Sequence, residues 1–217
     1  MDWTKLERST PLSPHFTFGE YLGGVPATFL NQRMCKPEWL LSVITVAELA
    51  RGRFGAILTT QGAADDYPRG IRISSGVRSS NKLAKSVHGI RGGCACDFKP
   101  LRDIRALPIA KTPEKAYKRF YGCFIWAVSR IDNHFGLGVY PNSFSGIHVD
   151  SAFTLRKDQN LVNHHNFRGH RWGQNYSYFE NEEMIKALNY EYRADTTPVP
   201  WQEMAKELGV NLDLMKC

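Results

Sequence analysis

Two short segments, GLGVY at 136–140 and GIHVD at 146–150, constrain this chain more than anything else in it. Both read as strands, and only the turn-rich PNSFS separates them, so a hairpin is expected. Within GIHVD, Ile147 and Val149 point to one face and His148 and Asp150 to the other. One face must enter a core, and the polar one must face a site. A third strand is expected at GCACDFKP (93–100), where small residues lead into Asp97 and Pro100 ends the run. A fourth, IRIS (71–74), stops at the turn signal Ser75-Gly76.

Helices frame these strands. Thr17 with Glu20 three residues on is a capping-box pattern, placing a short helix from Phe18. Pro37 opens PEWLLSVITVAELARGRFG, in which Leu40, Val43, Ile44, Ala47 and Leu49 supply an apolar stripe. Residues 55–70, with paired Gly–Ala steps, two aspartates, Pro68 and Gly70, read as a loop or loop-bearing insertion. NKLAKS (81–86) reads as a short helix. Thr112-Pro113-Glu114 gives an N-cap, an N1 proline and an early acid, for a helix to about Ile131 burying Tyr117, Phe120, Phe124, Ile125 and Val128. Further helices are expected near 180–192 and 200–208. The sum is an α+β fold: a small antiparallel sheet with helices packed on one side. One domain is expected over 1–154, with 155–217 as a C-terminal extension packed on it.

At 42% hydrophobic residues the chain can bury a core without disulfides. Its five cysteines, Cys35, Cys94, Cys96, Cys123 and Cys217, are odd in number and irregular in spacing, which argues against a secreted disulfide framework. Cys94 and Cys96 would share one strand face as small packing residues. The net charge of +7 favours polyanions in general and selects none. The first sixteen residues contain no signal-type apolar run, so the chain is expected to be made in the cytoplasm without a signal peptide. No stable membrane insertion is expected, because no stretch is long and apolar enough to span a bilayer.

A catalytic zinc site needs three protein donors and one open position. His88, Asp97 and His148 can supply the donors, two of them from neighbouring strands, although spacing alone leaves structural readings open for each. The run SGVRSSNKLAKSVHGIRGGCACDF resembles the first motif of the D-alanyl-D-alanine carboxypeptidase and hedgehog-type zinc peptidases, through Ser75, Gly76, Arg78, Ser79, Asn81, Ser86, His88, Gly93, Ala95 and Asp97. GLGVYPNSFSGIHVD resembles the second, and LSPHFTFGEYL the N-terminal segment; residues 12–151 are covered, closest to the murein-endopeptidase and phage wall-hydrolase branch.

That resemblance implies a hedgehog/DD-peptidase-like fold and a Zn2+ ion on His88, Asp97 and His148. It implies a metallopeptidase acting on the stem peptides of bacterial peptidoglycan, as carboxypeptidase or endopeptidase, with Arg78 and Ser86 toward substrate. Arg78 is then the candidate for stabilising an oxyanion or binding a carboxylate. Asp150 would orient a ligand imidazole or accept a proton, and the orienting role is favoured. Two departures stand out. His88 and Asp97 are nine residues apart, longer than the family's usual step, with the excess in 89–92. The places before His148 that hold an acid or histidine in several members are here Ser145 and Gly146, which cannot act as a base.

A monomeric phage endolysin, let through by a membrane-permeabilising partner, or a virion-associated hydrolase would suit this reading; either acts on the cell wall. One competing reading is a catalytically inactive wall- or peptide-binding module. A nucleic-acid-binding role is not expected, since the only basic–aromatic cluster, KAYKRFYG (115–122), has its aromatics at core positions of a helix. His164, His165 and His170 lie in NHHNFRGHRWG, read as a solvated or wall-binding loop that could bring Arg171 and Trp172 to the pocket.

Overall fold

The computed structural model describes residues 1–60, 70–79, 87–90, 93–103, 111–133, 135–139, 146–151, 171–173 and 191–216. The helix expected at 81–86, the loop 141–145, the three histidines at 164–170 and most of the helix near 180–192 lie outside these residues.

The centre is a sheet of five strands: β3 (Ile71–Ser75), β4 (Ala95–Pro100), β6 (Ile147–Asp150), β5 (Gly136–Val139) and β7 (Arg171–Gly173), in that spatial order. Neighbours are antiparallel through the first four, including the expected β5–β6 hairpin. The edge strand β7 joins β5 in parallel, a pairing the sequence did not suggest. A separate two-stranded ribbon, β1 (Pro11–Ser13) with β2 (Phe16–Thr17), lies upstream. The described chain is α+β.

Period-two alternation sorts the central strands into two faces. Cys96 opposes Val149 and Phe98 opposes Ile147, and all four are fully buried. Phe98 stacks toward Phe124 of α4 (Pro113–Ser129) at 5.7 Å; Phe124 meets Phe120, and Phe120 meets Phe54 of α3 (Pro37–Thr60). This run of rings ties one sheet face to both long helices, each buried ring contributing about 1.5–3 kcal/mol relative to exposure. The opposite face carries Asp97 and His148.

The capping patterns form as the sequence requires. Thr17 and Glu20 close a full capping box on α1 (Phe18–Leu22). Thr112 caps α4 and accepts a hydrogen bond from the Lys115 amide. α4 ends at Ser129, and the five side chains expected in its core are buried. A short helix α2 (Thr28–Gln32) has no capping side chain and was not foreseen.

α3 differs from expectation in two ways. It continues through Gly55 to Thr60, so residues 55–60 are helical and not loop, because Phe54 and Leu58 keep burying its inner side. From Trp39 to Ala50 it is also buried all round, not along one stripe. Its polar residues are satisfied inside: Ser42 and Thr45 donate to the Trp39 and Leu41 carbonyls. Glu48 accepts from the Ser13 hydroxyl at 2.6 Å and from the His15 amide, with the His15 ring at 2.9 Å, clasping the β1–β2 turn to the helix. The C-terminal residues complete the enclosure. α5 (Trp201–Glu207) buries Trp201, Met204 and Ala205, and Asn211 bonds back to the backbone of Pro11 and Leu12.

Cys35, Cys94, Cys96 and Cys123 are free and buried. Among the described residues no helix is long and apolar enough to cross a membrane.

Candidate metal centre

Asp97 and His148 meet because β4 and β6 pair in the register that sets them directly opposite each other. In the same register Ala95 faces Asp150, so the polar face of GIHVD lies over small neighbours. On the far side Gly138 opposes His148 and Gly136 opposes Asp150. The two glycines of GLGVY therefore sit on the site face and leave space beside the imidazole.

His88 arrives from a 3-10 turn, Val87–Gly89. Two backbone contacts hold that turn: the Arg78 amide donates to the His88 carbonyl at 2.9 Å, and His88 Nδ1 lies 2.7 Å from the Gly76 carbonyl oxygen. Gly76 has to be glycine, since a Cβ there would come within 2.0 Å of the Tyr21 carbonyl oxygen. Just after the histidine Ile90 takes φ 56°, a strained value for a β-branched residue. Both ligand candidates still reach one point.

At that point His88 Nε2 is 3.0 Å from His148 Nδ1, His148 Nδ1 is 3.0 Å from Asp97 Oδ1, and His88 Nε2 is 3.4 Å from Asp97 Oδ1. All three residues are buried. With metal–nitrogen distances of about 2.0–2.1 Å, a tetrahedral zinc site sets neighbouring donors about 3.3 Å apart. The three separations fall around that value, and the group can hold a metal ion.

The partners of the remaining polar atoms fit the same use. A ligand histidine needs its other ring nitrogen fixed by an acceptor, which sets the tautomer and the ring angle. His88 Nδ1 has the Gly76 carbonyl, and His148 Nε2 has Asp150 Oδ2 at 3.1 Å, with Asp150 itself 1% exposed. Asp97 Oδ2 accepts from Arg78 Nη2 at 2.7 Å, while Arg78 Nε donates to Ser75 Oγ at 2.8 Å. Burial acts to raise the Asp97 pKa, yet hydrogen bonds from His148 and His88, with their charge, hold it well below the usual carboxylate range. Burial acts to lower the His148 pKa, but its hydrogen bonds to Asp150 and Asp97 outweigh that and push it up to about 9.

The chain matches no family model, no curated protein and no solved structure.

The structure brings five of the six residues singled out from the sequence, Arg78, His88, Asp97, His148 and Asp150, into one hydrogen-bonded group; Ser86 lies outside the described residues. Arg78 is engaged with the carboxylate of Asp97, a contact not anticipated, and its side chain is 38% exposed. Also unanticipated were the carbonyl of Gly76, for which Ser-Gly at a strand end was the one available signal, and Tyr117. The Tyr117 hydroxyl donates to the Gly146 carbonyl at 2.7 Å, pinning the start of the β6 strand from α4. Of the histidine-rich segment, β7 sets Trp172 in backbone register with Gly138, one strand beyond His148.

Proposed function

We propose that the chain is a zinc-dependent peptidase of the D-alanyl-D-alanine carboxypeptidase and hedgehog type, hydrolysing peptide bonds in bacterial peptidoglycan. The observation that carries this reading is the convergence of His88 Nε2, Asp97 Oδ1 and His148 Nδ1, with both remote ring nitrogens held by acceptors. Any buried imidazole needs hydrogen-bonding partners; what favours a metal here is that one nitrogen of each ring and one oxygen of Asp97 converge on a single point while the remote ring nitrogens already have theirs. The peptidoglycan substrate and a phage-type wall hydrolase rest on the two motifs, SGVRSSNKLAKSVHGIRGGCACDF and GLGVYPNSFSGIHVD. The positive charge favours attachment to an anionic envelope.

His88, Asp97 and His148 would hold the zinc ion, which would supply Lewis acidity toward a carbonyl and a water molecule. The protein's own work is positional. Gly76 and Asp150 fix the two imidazoles, Arg78 fixes the carboxylate, and the pairing of β4 with β6 fixes all three against a packed core. Asp150 is buried with Oδ2 against His148, which suits orientation better than proton transfer from solvent.

A second reading is a metal-holding module that binds wall peptide without cutting it. It draws on Gly146 standing where several members of the family carry an acid or histidine. Mass spectrometry of purified peptidoglycan, digested by the zinc-loaded protein with and without chelator, separates the two. New stem-peptide fragments that vanish with chelator are the expected result and name the bond. An unchanged digest from folded, zinc-loaded protein refutes the hydrolase reading.

A further inference from the structure

The site face of the sheet continues past the metal centre. Two residues along β4 from Asp97 stands Lys99, and Arg72 of β3 is its direct cross-strand partner. At about 3.3 Å per residue this row lies roughly 7 Å from the row of Asp97 and His148. Arg72 is exposed and Lys99 half-buried, and among the described residues neither has an acidic partner. The base of the Lys99 stem runs beside Gly146, where an added Cβ would lie 3.1 Å from Lys99 Cγ. Gly146 in turn is held by Tyr117. Two cations side by side on a strand face, without an acidic partner among the described residues, repel each other, so an anion that joins them stabilises the arrangement.

We infer that Arg72 and Lys99 form a carboxylate-binding subsite beside the metal centre, selecting peptides with an anionic group one or two residues from the bond at the metal. The distance sets that range, because an extended peptide advances about 3.3–3.6 Å per residue. Arginine offers a planar fork for a carboxylate and lysine a point charge, so together they take a single carboxylate from two sides. The inference rests on the proposed peptidase for what happens at the metal, but the subsite itself is a matter of binding.

The test uses the zinc-loaded full chain and two probes: the stem peptide L-Ala-γ-D-Glu-L-Lys-D-Ala and the same peptide with its carboxyls amidated. Binding is read by calorimetry, cleavage by mass spectrometry, for the parent and for Arg72→Gln, Lys99→Gln and the double variant. The parent is expected to prefer the acid over the amide by about 30-fold, each single variant to lose about fivefold of that preference, and the double variant to bind both alike. Circular dichroism of the variants, both changed at accessible positions, checks that they fold. If the acid is preferred and the preference falls with the variants, yet nothing is cut, the subsite stands and the hydrolase reading falls. If acid and amide bind the parent equally, the subsite is refuted whether or not cleavage occurs. If the double variant loses affinity only for a soluble glycerol-phosphate polymer, the row serves a wall phosphate and the inference is overturned.

Discussion

Asp150 offers the sharpest test of how the centre is built, because among the described metal-ligand candidates it contacts His148 and can be changed in two graded ways. Its Oδ2 lies 3.1 Å from His148 Nε2, and the residue is 1% exposed. Asp150→Asn keeps the shape and an acceptor oxygen but removes the charge. Asp150→Ala removes the acceptor too, leaving the imidazole free to rotate or change tautomer. Loss of a group that orients a metal-bound histidine costs about 10- to 100-fold in metal affinity. Asparagine is therefore expected near tenfold, or about 1.4 kcal/mol, and alanine near 100-fold, or about 2.7 kcal/mol. Alanine also strands a buried N–H, which adds a stability loss of about 1–3 kcal/mol in the metal-free protein. Zinc affinity would be measured by competition with a chromophoric chelator, and stability by urea unfolding. The reference is His148→Ala, which removes a ligand outright and is expected to be the most damaging. Affinities for both Asp150 variants within twofold of the parent would refute the orienting role. So would an asparagine variant as weak as His148→Ala.

Three other changes probe the supports. Gly146→Ala places a Cβ 2.6 Å from the Phe98 carbonyl oxygen at φ 145°, and is expected to lose about 3 kcal/mol in urea unfolding; a loss under about 1 kcal/mol would mean the strand start is not fixed as described. Arg78→Lys cannot span both Ser75 Oγ and Asp97 Oδ2, so zinc affinity should fall about tenfold by chelator competition while the fold persists. In the metal-free protein the His148 pKa is raised from 6.5 to about 9, so its stabilising contribution is complete below about pH 6.5 and is lost as pH rises through about 9. That contribution is on the order of 3 kcal/mol, and urea midpoints in chelator should fall between pH values near 6 and near 10; an unchanged midpoint would contradict it.

The ligand strands were legible because a two-residue period leaves little choice. Ile147 and Val149 needed a core, and that alone put His148 and Asp150 on the other face. The caps at Thr17 and Thr112 were legible for a similar reason, each carrying its own hydrogen-bonding side chain. What escaped depended on tertiary surroundings. Ser42, Thr45 and Glu48 look like the solvent side of an amphipathic helix, yet local carbonyls and the β1–β2 turn satisfy them in the interior. Residues 55–60 read as the start of a loop, but burial of Phe54 and Leu58 carries α3 on to Thr60. α2 has no side-chain cap, and β7 is three residues long, so neither leaves a periodic trace. In the site, His88, Asp97 and His148 could be named from residue type and motif. The carbonyl of Gly76 could not, because every residue has a carbonyl and only the folded backbone selects one.

Arg78 settles how many donors Asp97 can give. A carboxylate left alone can offer both oxygens to a cation, which would fill a site and blunt its chemistry. Here Oδ1 faces the two imidazoles at 3.0 and 3.4 Å, and Oδ2 is taken by Arg78 at 2.7 Å. The guanidinium is itself aimed by Ser75, so Oδ2 cannot turn inward without breaking two charge-assisted or polar contacts. The described residues thus bring three donors to one point, the number a catalytic zinc site takes from its protein. Charge points the same way. Among the described residues Asp97 and Asp150 bring two negative charges to His148, and the one cation, Arg78, is 38% exposed. Without a metal, hydrogen bonds to those two carboxylates favour the protonated form of His148, which is why its pKa rises. A divalent ion held by His88, Asp97 and His148 would supply positive charge in place of that proton, and would favour an electron-rich carbonyl beside it.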